Sequence, residues 1–260
     1  MKISAFTPVY SGTYLVQTMD SVFAQSLKPA DYVLTVDGKS ETFTIIKDYF
    51  DQKGFPLVQH KDIFITEYLG IKIKVRNREI NLGIGATLND CINLCEGDCL
   101  AWVSADDEMT PQRLEISLKK YESLGCPEEV LYGDYDTEDK KTGNIIGYVR
   151  GIDFKDLQAE KDYVMRGCFV NFSTTLIPRK VFDKVGLFDP SKRFGEDYEW
   201  LMRAILVYDV FFKYIPAVLV HYGIDVNEQE THKKLDKIAL NDQDSREKIQ
   251  MLLKQKEEIK

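Results

Sequence analysis

The sequence predicts an α/β fold with a mixed, mainly parallel sheet flanked by helices. Two patterns and one placement carry that expectation. Short apolar runs at residues 3–6, 32–36 and 100–103 alternate with stretches whose apolar side chains recur at helical spacing. The run at 100–103 (Leu100, Ala101, Trp102, Val103) has no polar alternation, as a strand buried on both faces would. The placement concerns acids. Asp37 follows the run at 32–36 and Asp106-Asp107 follows the run at 100–103. In open α/β sheets the C-terminal edge of the strands is where ligands bind.

Taken in order, residues 3–6 read as the first strand. Leu15, Met19, Val22 and Phe23 then fall on one helical face. Pro29 breaks the chain before the strand at 32–36, and residues 42–50 read as a helix. Between 54 and 78 the pattern changes to period two, with Ile63 and Ile65, then Ile71, Ile73 and Val75. A hairpin around Tyr68, Leu69 and Gly70 follows, its second arm serving as a main strand and the extra residues as an insertion. Asn81, Leu82, Gly83, Ile84 and Gly85 form a glycine-bearing turn before a helix lined by Leu88, Cys91, Ile92 and Cys95 and ended at Gly97.

Past the acidic pair, Thr110 and Pro111 carry an N-cap and first-turn signature for a helix bearing Leu114, Leu118 and Tyr121. A strand at 130–134 has an antiparallel partner at 145–150. Residues 173–177 read as a strand, 181–185 as a short helix stopped by Gly186, and 198–207 as a helix. Two closing strands are expected at 210–215 and 218–221. From about 225 onward Lys, Glu, Gln and Asp dominate, with Leu235, Ile238, Leu252 and Leu253 as sparse apolar points. That is a solvated helical tail. The expected organisation is residues 1–224 as one domain and 225–260 as the extension.

With 260 residues, the chain is long enough for a sizeable core. Its net charge of −8 argues against a backbone-binding nucleic-acid protein while leaving room for a small basic pocket. Met1 opens directly into a strand-like run, and no run approaches the roughly 20 apolar residues of a membrane span. The expected location is cytoplasmic, with peripheral contact at the inner face of a membrane left open through the tail. The five cysteines (Cys91, Cys95, Cys99, Cys126, Cys168) read as reduced thiols, without the paired spacings of a zinc site.

Asp106 and Asp107 offer two hard oxygen ligands, which suit Mg²⁺ or Mn²⁺ shared with substrate phosphates. Taken alone, adjacent acids more often cap and solvate a loop. Four features read together change that balance. They are Pro8-Val9-Tyr10, Val36-Asp37-Gly38, the run from Asn81 and Gly83 through Asn89 and Gly97-Asp98 to Ser104-Ala105-Asp106-Asp107, and Gly195-Glu196-Asp197. In that order they resemble the inverting GT-A glycosyltransferases of the family 2 type, which use nucleotide-diphosphate sugars, across residues 1–222. The chain departs from that family where Ser104 replaces its first acid, where Leu88 replaces a frequent arginine, and at Lys39.

The resemblance implies a GT-A (Rossmann-like) fold, with a nucleotide-binding half at 1–110 and an acceptor half at 111–224. It implies transfer from a nucleotide-diphosphate sugar, UDP by family prior, to a glycan or lipid-linked acceptor, with Mn²⁺ or Mg²⁺ as cofactor. Asp197 is then the general base, with Glu196 as the fallback. Asp106 is the direct metal ligand and Asp107 the second ligand or ribose contact. His221, after the last strand, is a further candidate ligand. Thr7, Pro8 and Tyr10 would wall the nucleoside and Asp37 would accept from base or ribose. Asn81 and Asn89 join that set, Arg76 and Arg78 offer diphosphate contacts, and Cys168 and Trp200 would shape the acceptor pocket. Two rivals remain. A sugar-phosphate nucleotidyltransferase should carry a glycine-rich basic loop after the first strand, which residues 7–12 lack. A non-catalytic nucleotide-sugar or glycan binder would explain Ser104.

Overall fold

The computed structural model describes residues 1–225 and 235–258, with side chains described from 243 to 255 in the latter stretch. Its first half runs β1 (Ile3–Val9), α1 (Leu15–Phe23), β2 (Asp31–Asp37), α2 (Ser40–Gln52), β3 (Val58–His60), β4 (Ile63–Tyr68), β5 (Ile71–Arg78), α3 (Ile84–Leu94) and β6 (Cys99–Trp102). The second half begins with β7 (Glu108–Met109), α4 (Arg113–Ser123), β8 (Val130–Asp139), β9 (Asn144–Val149) and α5 (Leu157–Val164). A 3₁₀ turn at Phe172–Thr174 leads into β10 (Leu176–Pro178), α6 (Arg179–Val185) and α7 (Glu196–Met202). A π-helical turn Arg203–Val207, β11 (Phe212–Ile224) and α8 (Leu235–Glu258) complete the chain.

One mixed sheet runs through the fold in the order β3-β4-β5-β2-β1-β6-β10-β8-β11-β7, with β9 added to β8. β5, β2, β1 and β6 are parallel neighbours, as are β8 and β11, while β10 runs antiparallel between the two groups. β1 and β2 are buried at every position, as both-face coverage by helices requires. On one face Leu15, Met19, Val22, Phe50 and Leu114 form a core under α1, α2 and α4. On the other, Phe172, Phe182, Phe188, Trp200 and Phe212 pack with residues of α3, α5, α6 and α7. The hairpin of β4 and β5 forms as the period-two pattern predicts, and β3 extends that edge.

Several local expectations give way to long-range contacts. Thr110 is not a cap: its hydroxyl donates to Val218 O (3.0 Å), and α4 starts later, after Gln112. The cause is β7, which draws residues 108–109 against β11. The strand expected at 173–177 begins only at Leu176, because the Asn171 side chain accepts from Ser173 N (2.9 Å) and tightens the preceding turn. The two closing strands are one, β11, irregular around Pro216, where a missing N–H breaks the ladder. α3 ends at Leu94, before Gly97.

The tail is less solvated than its composition suggests. Ile249 is fully buried, and Leu252 and Leu253 pack on the Trp200 core, while Leu235 and Ile238 lie outside the described side chains. No helix among the described residues is long and apolar enough to cross a membrane.

Candidate active site

The acidic loop leaves β6 at the C-terminal edge of the sheet. Ser104 N–H donates to Ser173 Oγ (3.1 Å), the two hydroxyls are 3.0 Å apart, and Asp107 N–H closes onto Ser104 O at 3.1 Å. The serine that departs from the family pattern therefore pins this loop. Asp107 Oδ1 accepts from Gly223 N–H (3.0 Å), and its Oδ2 is buried with no protein partner. Only glycine fits at 223, since a Cβ there would lie 2.1 Å from Asp106 O. Burial, then the charge of Asp106, pushes the Asp107 carboxyl up to about 8, and burial raises Asp106 as well.

The second acidic pair opens α7. Gly195 takes a left-handed conformation (φ 67°), turning the chain into the helix. Glu196 is buried and is pushed up to about 8 by that burial and then by Asp197. Asp197 is half-buried, and its Oδ1 accepts from Tyr198 N–H at 2.7 Å.

The two acidic sites meet at Tyr222. Its phenol is driven upward by burial and then by the carboxylates of Asp107 and Asp106, by Tyr135 and by Asp197. One side chain thus lies in the field of acids some ninety positions apart. Tyr135 stacks edge-on against it (5.7 Å between centroids) and itself feels Cys168 and Asp107 after burial. Asp106, Asp107 and Asp197 thus all act electrostatically on Tyr222, Glu196 feels Asp197, and Cys168 and Asp107 act on Tyr135. Sequence reasoning missed Tyr222 and Tyr135, because their strands were expected to end at residues 221 and 134.

At the C-terminal end of β2, Asp37 holds the turn before α3. Its Oδ1 and Oδ2 accept from Leu82 N–H and Gly83 N–H, each at 2.9 Å, and Arg78 Nη1 lies 3.4 Å away. Asn81 Oδ1 accepts from Gly83 N–H (3.1 Å) and from Arg193 Nη1 (3.3 Å). Arg193, also missed, sits two residues before Gly195 and bridges this turn to the loop that opens α7. Tyr10 is exposed, with the Lys39 ammonium 4.5 Å from its ring centroid.

Other expected contacts are engaged elsewhere. Thr7 and Pro8 are buried within β1, with the Thr7 hydroxyl 2.9 Å from that of Tyr32, so they form core and not a nucleoside wall. Arg76 pairs with Asp62 (2.6 Å) and Asp90 (3.1 Å). Arg78 pairs with Asp90 at 2.7 Å. Asn89 donates to Phe188 O (2.8 Å) and accepts from Phe188 N–H (3.0 Å), clamping backbone and not nucleotide. Trp200 is fully buried among phenylalanines, its indole N–H donating to Gly186 O (2.8 Å), which corrects its assignment to the acceptor pocket. His221 Nδ1 lies 3.3 Å from Asp136. Among the described residues, no group of three or more His, Cys, Asp or Glu is placed to hold a metal ion. Asp106 and Asp107 remain as a pair.

Comparison with known proteins fits this arrangement. The family model for glycosyl transferase family 2 matches residues 4–186. An uncharacterised glycosyltransferase of Rickettsia typhi is 27% identical over 215 residues, covering 81% of this chain and 60% of its own length. Another, from Methanocaldococcus jannaschii, is 26% identical over 213 residues, covering 81% of this chain and 66% of its own. The chain thus spans about 60% of the Rickettsia relative. Among solved structures, S. aureus TarS 1–349 in complex with UDP-GlcNAc has a TM-score of 0.64 at 16% identity, over 90% of this chain and 61% of that one. Its complex with UDP has a TM-score of 0.60 at 16% identity, over 87% and 61%. At that identity the likeness concerns the fold, which is GT-A. With the family match spanning most of its length and the strand-edge acids in their expected order, the chain belongs to glycosyl transferase family 2.

Proposed function

We propose that this chain transfers a sugar, with inversion, from a nucleotide-diphosphate donor to a hydroxyl of a glycan or lipid-linked acceptor. The observation that supports the reading is the convergence of the Asp106, Asp107 and Asp197 charges on the Tyr222 phenol. In a single displacement, the acceptor oxygen attacks the anomeric carbon as the bond to the diphosphate breaks. The hydroxyl proton passes to Asp197 and the nucleoside diphosphate departs. Asp197 is better suited than Glu196, which burial and its neighbour keep largely protonated at neutral pH. The donor is a UDP-sugar, a choice supported by the UDP and UDP-GlcNAc bound to TarS.

The acidic loop fits a divalent cation. Asp107 Oδ2 is a buried oxygen without a protein partner, and Asp106 presents a second carboxylate beside it. With no third protein ligand among the described residues, the remaining positions would fall to diphosphate oxygens and water, as is usual for Mg²⁺. When bound, the ion neutralises charge on the departing diphosphate. Ser104 and Gly223 fix the loop that presents both acids.

Asp197→Asn tests the reading. Its kcat should fall by about 10²–10⁴-fold, with the dissociation constant for Mn²⁺–UDP by calorimetry nearly unchanged. Transfer at the wild-type rate by this variant would remove Asp197 as base. Failure of every nucleotide diphosphate to raise Tm, with or without Mn²⁺, would remove the donor class.

A further inference from the structure

The carboxyl-terminal helix grips the element that carries the general base. α7 has only seven residues, too few to fix its own orientation, so its placement depends on packing. From α8, Arg246 Nη2 donates to the Tyr198 hydroxyl (2.9 Å), and the guanidinium carbon lies 5.6 Å from that ring's centroid. Arg246 Nη1 donates to Met165 O. The Tyr198 hydroxyl in turn donates to Val164 O at 2.7 Å. It is the backbone N–H of this same Tyr198 that donates to Asp197 Oδ1.

Neighbouring contacts repeat the pattern. Lys248 lies 2.6 Å from Asp189 and 3.5 Å from Glu199, while Lys192 pairs with Asp244. The stretch from Asp189 to Glu199, with Asp197 inside it, is therefore held by α8 at both ends. Ile249, buried below α7, supplies the apolar anchor for these polar contacts.

We infer that Arg246 is a positioning residue for Asp197, acting through Tyr198. The inference rests on Asp197 being the general base. Anchoring the Tyr198 ring fixes the rotation of the first turn of α7, and with it the direction of the neighbouring carboxylate. Proton transfer demands that precision, since misplacement by about 1 Å can cost up to about 10²-fold in rate. Arg246 is not itself a catalytic residue. Its contacts are to Tyr198 and Met165, not to the reacting groups.

The test compares Arg246→Ala, Arg246→Lys and the exposed-site control Glu247→Ala in the full chain. Arg246→Ala should lower kcat about 10-fold or more, leave KM for the UDP-sugar within about 2-fold, and speed hydrogen exchange at the Tyr198 amide. Arg246→Lys should recover part of kcat, and Glu247→Ala should match wild type. Unchanged kcat would overturn the inference. So would unchanged exchange at Tyr198, or a loss explained wholly by a smaller folded fraction. The exchange measurement needs no substrate. Faster exchange in a chain that transfers no sugar would refute the proposed function while leaving the Arg246–Tyr198 coupling intact.

Discussion

On the β5–β2–β1 side of the sheet, polar side chains answer one another. Asp37 takes two backbone amides and faces Arg78, Arg78 pairs with Asp90, and Asn89 closes both its bonds on Phe188. On the β8–β11 side, Asp106 and Asp107 crowd together, Glu196 and Asp197 do the same, and a buried Asp107 oxygen has no protein partner. The first region spends its charges on holding its own shape. The second crowds acidic groups in a low-dielectric setting, where burial and mutual repulsion favour their protonated forms, at a cost in stability that a cation and a polar substrate can offset. Polar residues on the two sides therefore answer different demands, although Asp37 and Asp106-Asp107 all lie at the C-terminal ends of parallel strands.

Replacing Asp37 is the harshest way to break this contrast. Asp37→Ala removes the acceptor for Leu82 N–H and Gly83 N–H and a partner of Arg78. Leaving such groups unpaired should cost about 2–4 kcal/mol, read as a lower denaturant midpoint at unchanged m. Donor affinity should fall with it, because the turn before α3 is no longer held. Unchanged stability with weakened donor binding would mean that Asp37 is a ligand contact, and the contrast would fail.

A buried acid outside the reacting locale sharpens the comparison. Glu160 on α5 is fully buried, accepts from Phe212 N–H through both oxygens (3.0 and 3.1 Å), and is pushed up to about 9 by burial. Its folded-state value lies above the ordinary 4.5, so the native state binds the proton more tightly than the unfolded chain. That contribution is fully present below about 4.5 and is lost as pH rises through about 9. Stability should fall between those limits by up to about 1.4 kcal/mol per pH unit. Glu160→Gln keeps an acceptor for Phe212 and should flatten the slope in urea midpoints measured from pH 6 to 9. A slope as steep as wild type would place the proton elsewhere.

The contrast also explains what could be read in the sequence. Asp37 and Asp106-Asp107 were legible because each follows an apolar run, and period alone places such residues at the edge of a buried sheet. The role of Asn89 was not, since its partner Phe188 lies 99 residues further on and no local pattern announces it. Trp200 has helical spacing with Leu201, Ala204 and Ile205, which is equally a core pattern, and the phenylalanines around it decide the matter. Tyr222 escaped notice because an irregular strand containing Pro216 reads as two short ones. In α8, charged composition concealed Arg246 and Lys248, whose partners Tyr198 and Asp189 are 48 and 59 positions away.

The smallest expected effect is the most discriminating within the acidic turn. Glu196 and Asp197 are adjacent carboxyls at the start of one helix, and either could be named the base from sequence. Burial, and then the charge of Asp197, lifts Glu196 to about 8, so at pH 7 it is mostly a neutral acid. A glutamine has nearly its shape and lacks charge, and so copies that form. Glu196→Gln should leave kcat at pH 7 within about 3-fold of wild type, in contrast to the collapse expected for Asp197→Asn. Because the pair titrates together, the variant should also remove whatever part of the alkaline limb of the rate profile comes from ionising Glu196 near pH 8. A loss of 10²-fold or more in Glu196→Gln would make Glu196 the proton acceptor. Asp197 would then be the charge that holds its neighbour's pKa up, and the two residues would exchange roles.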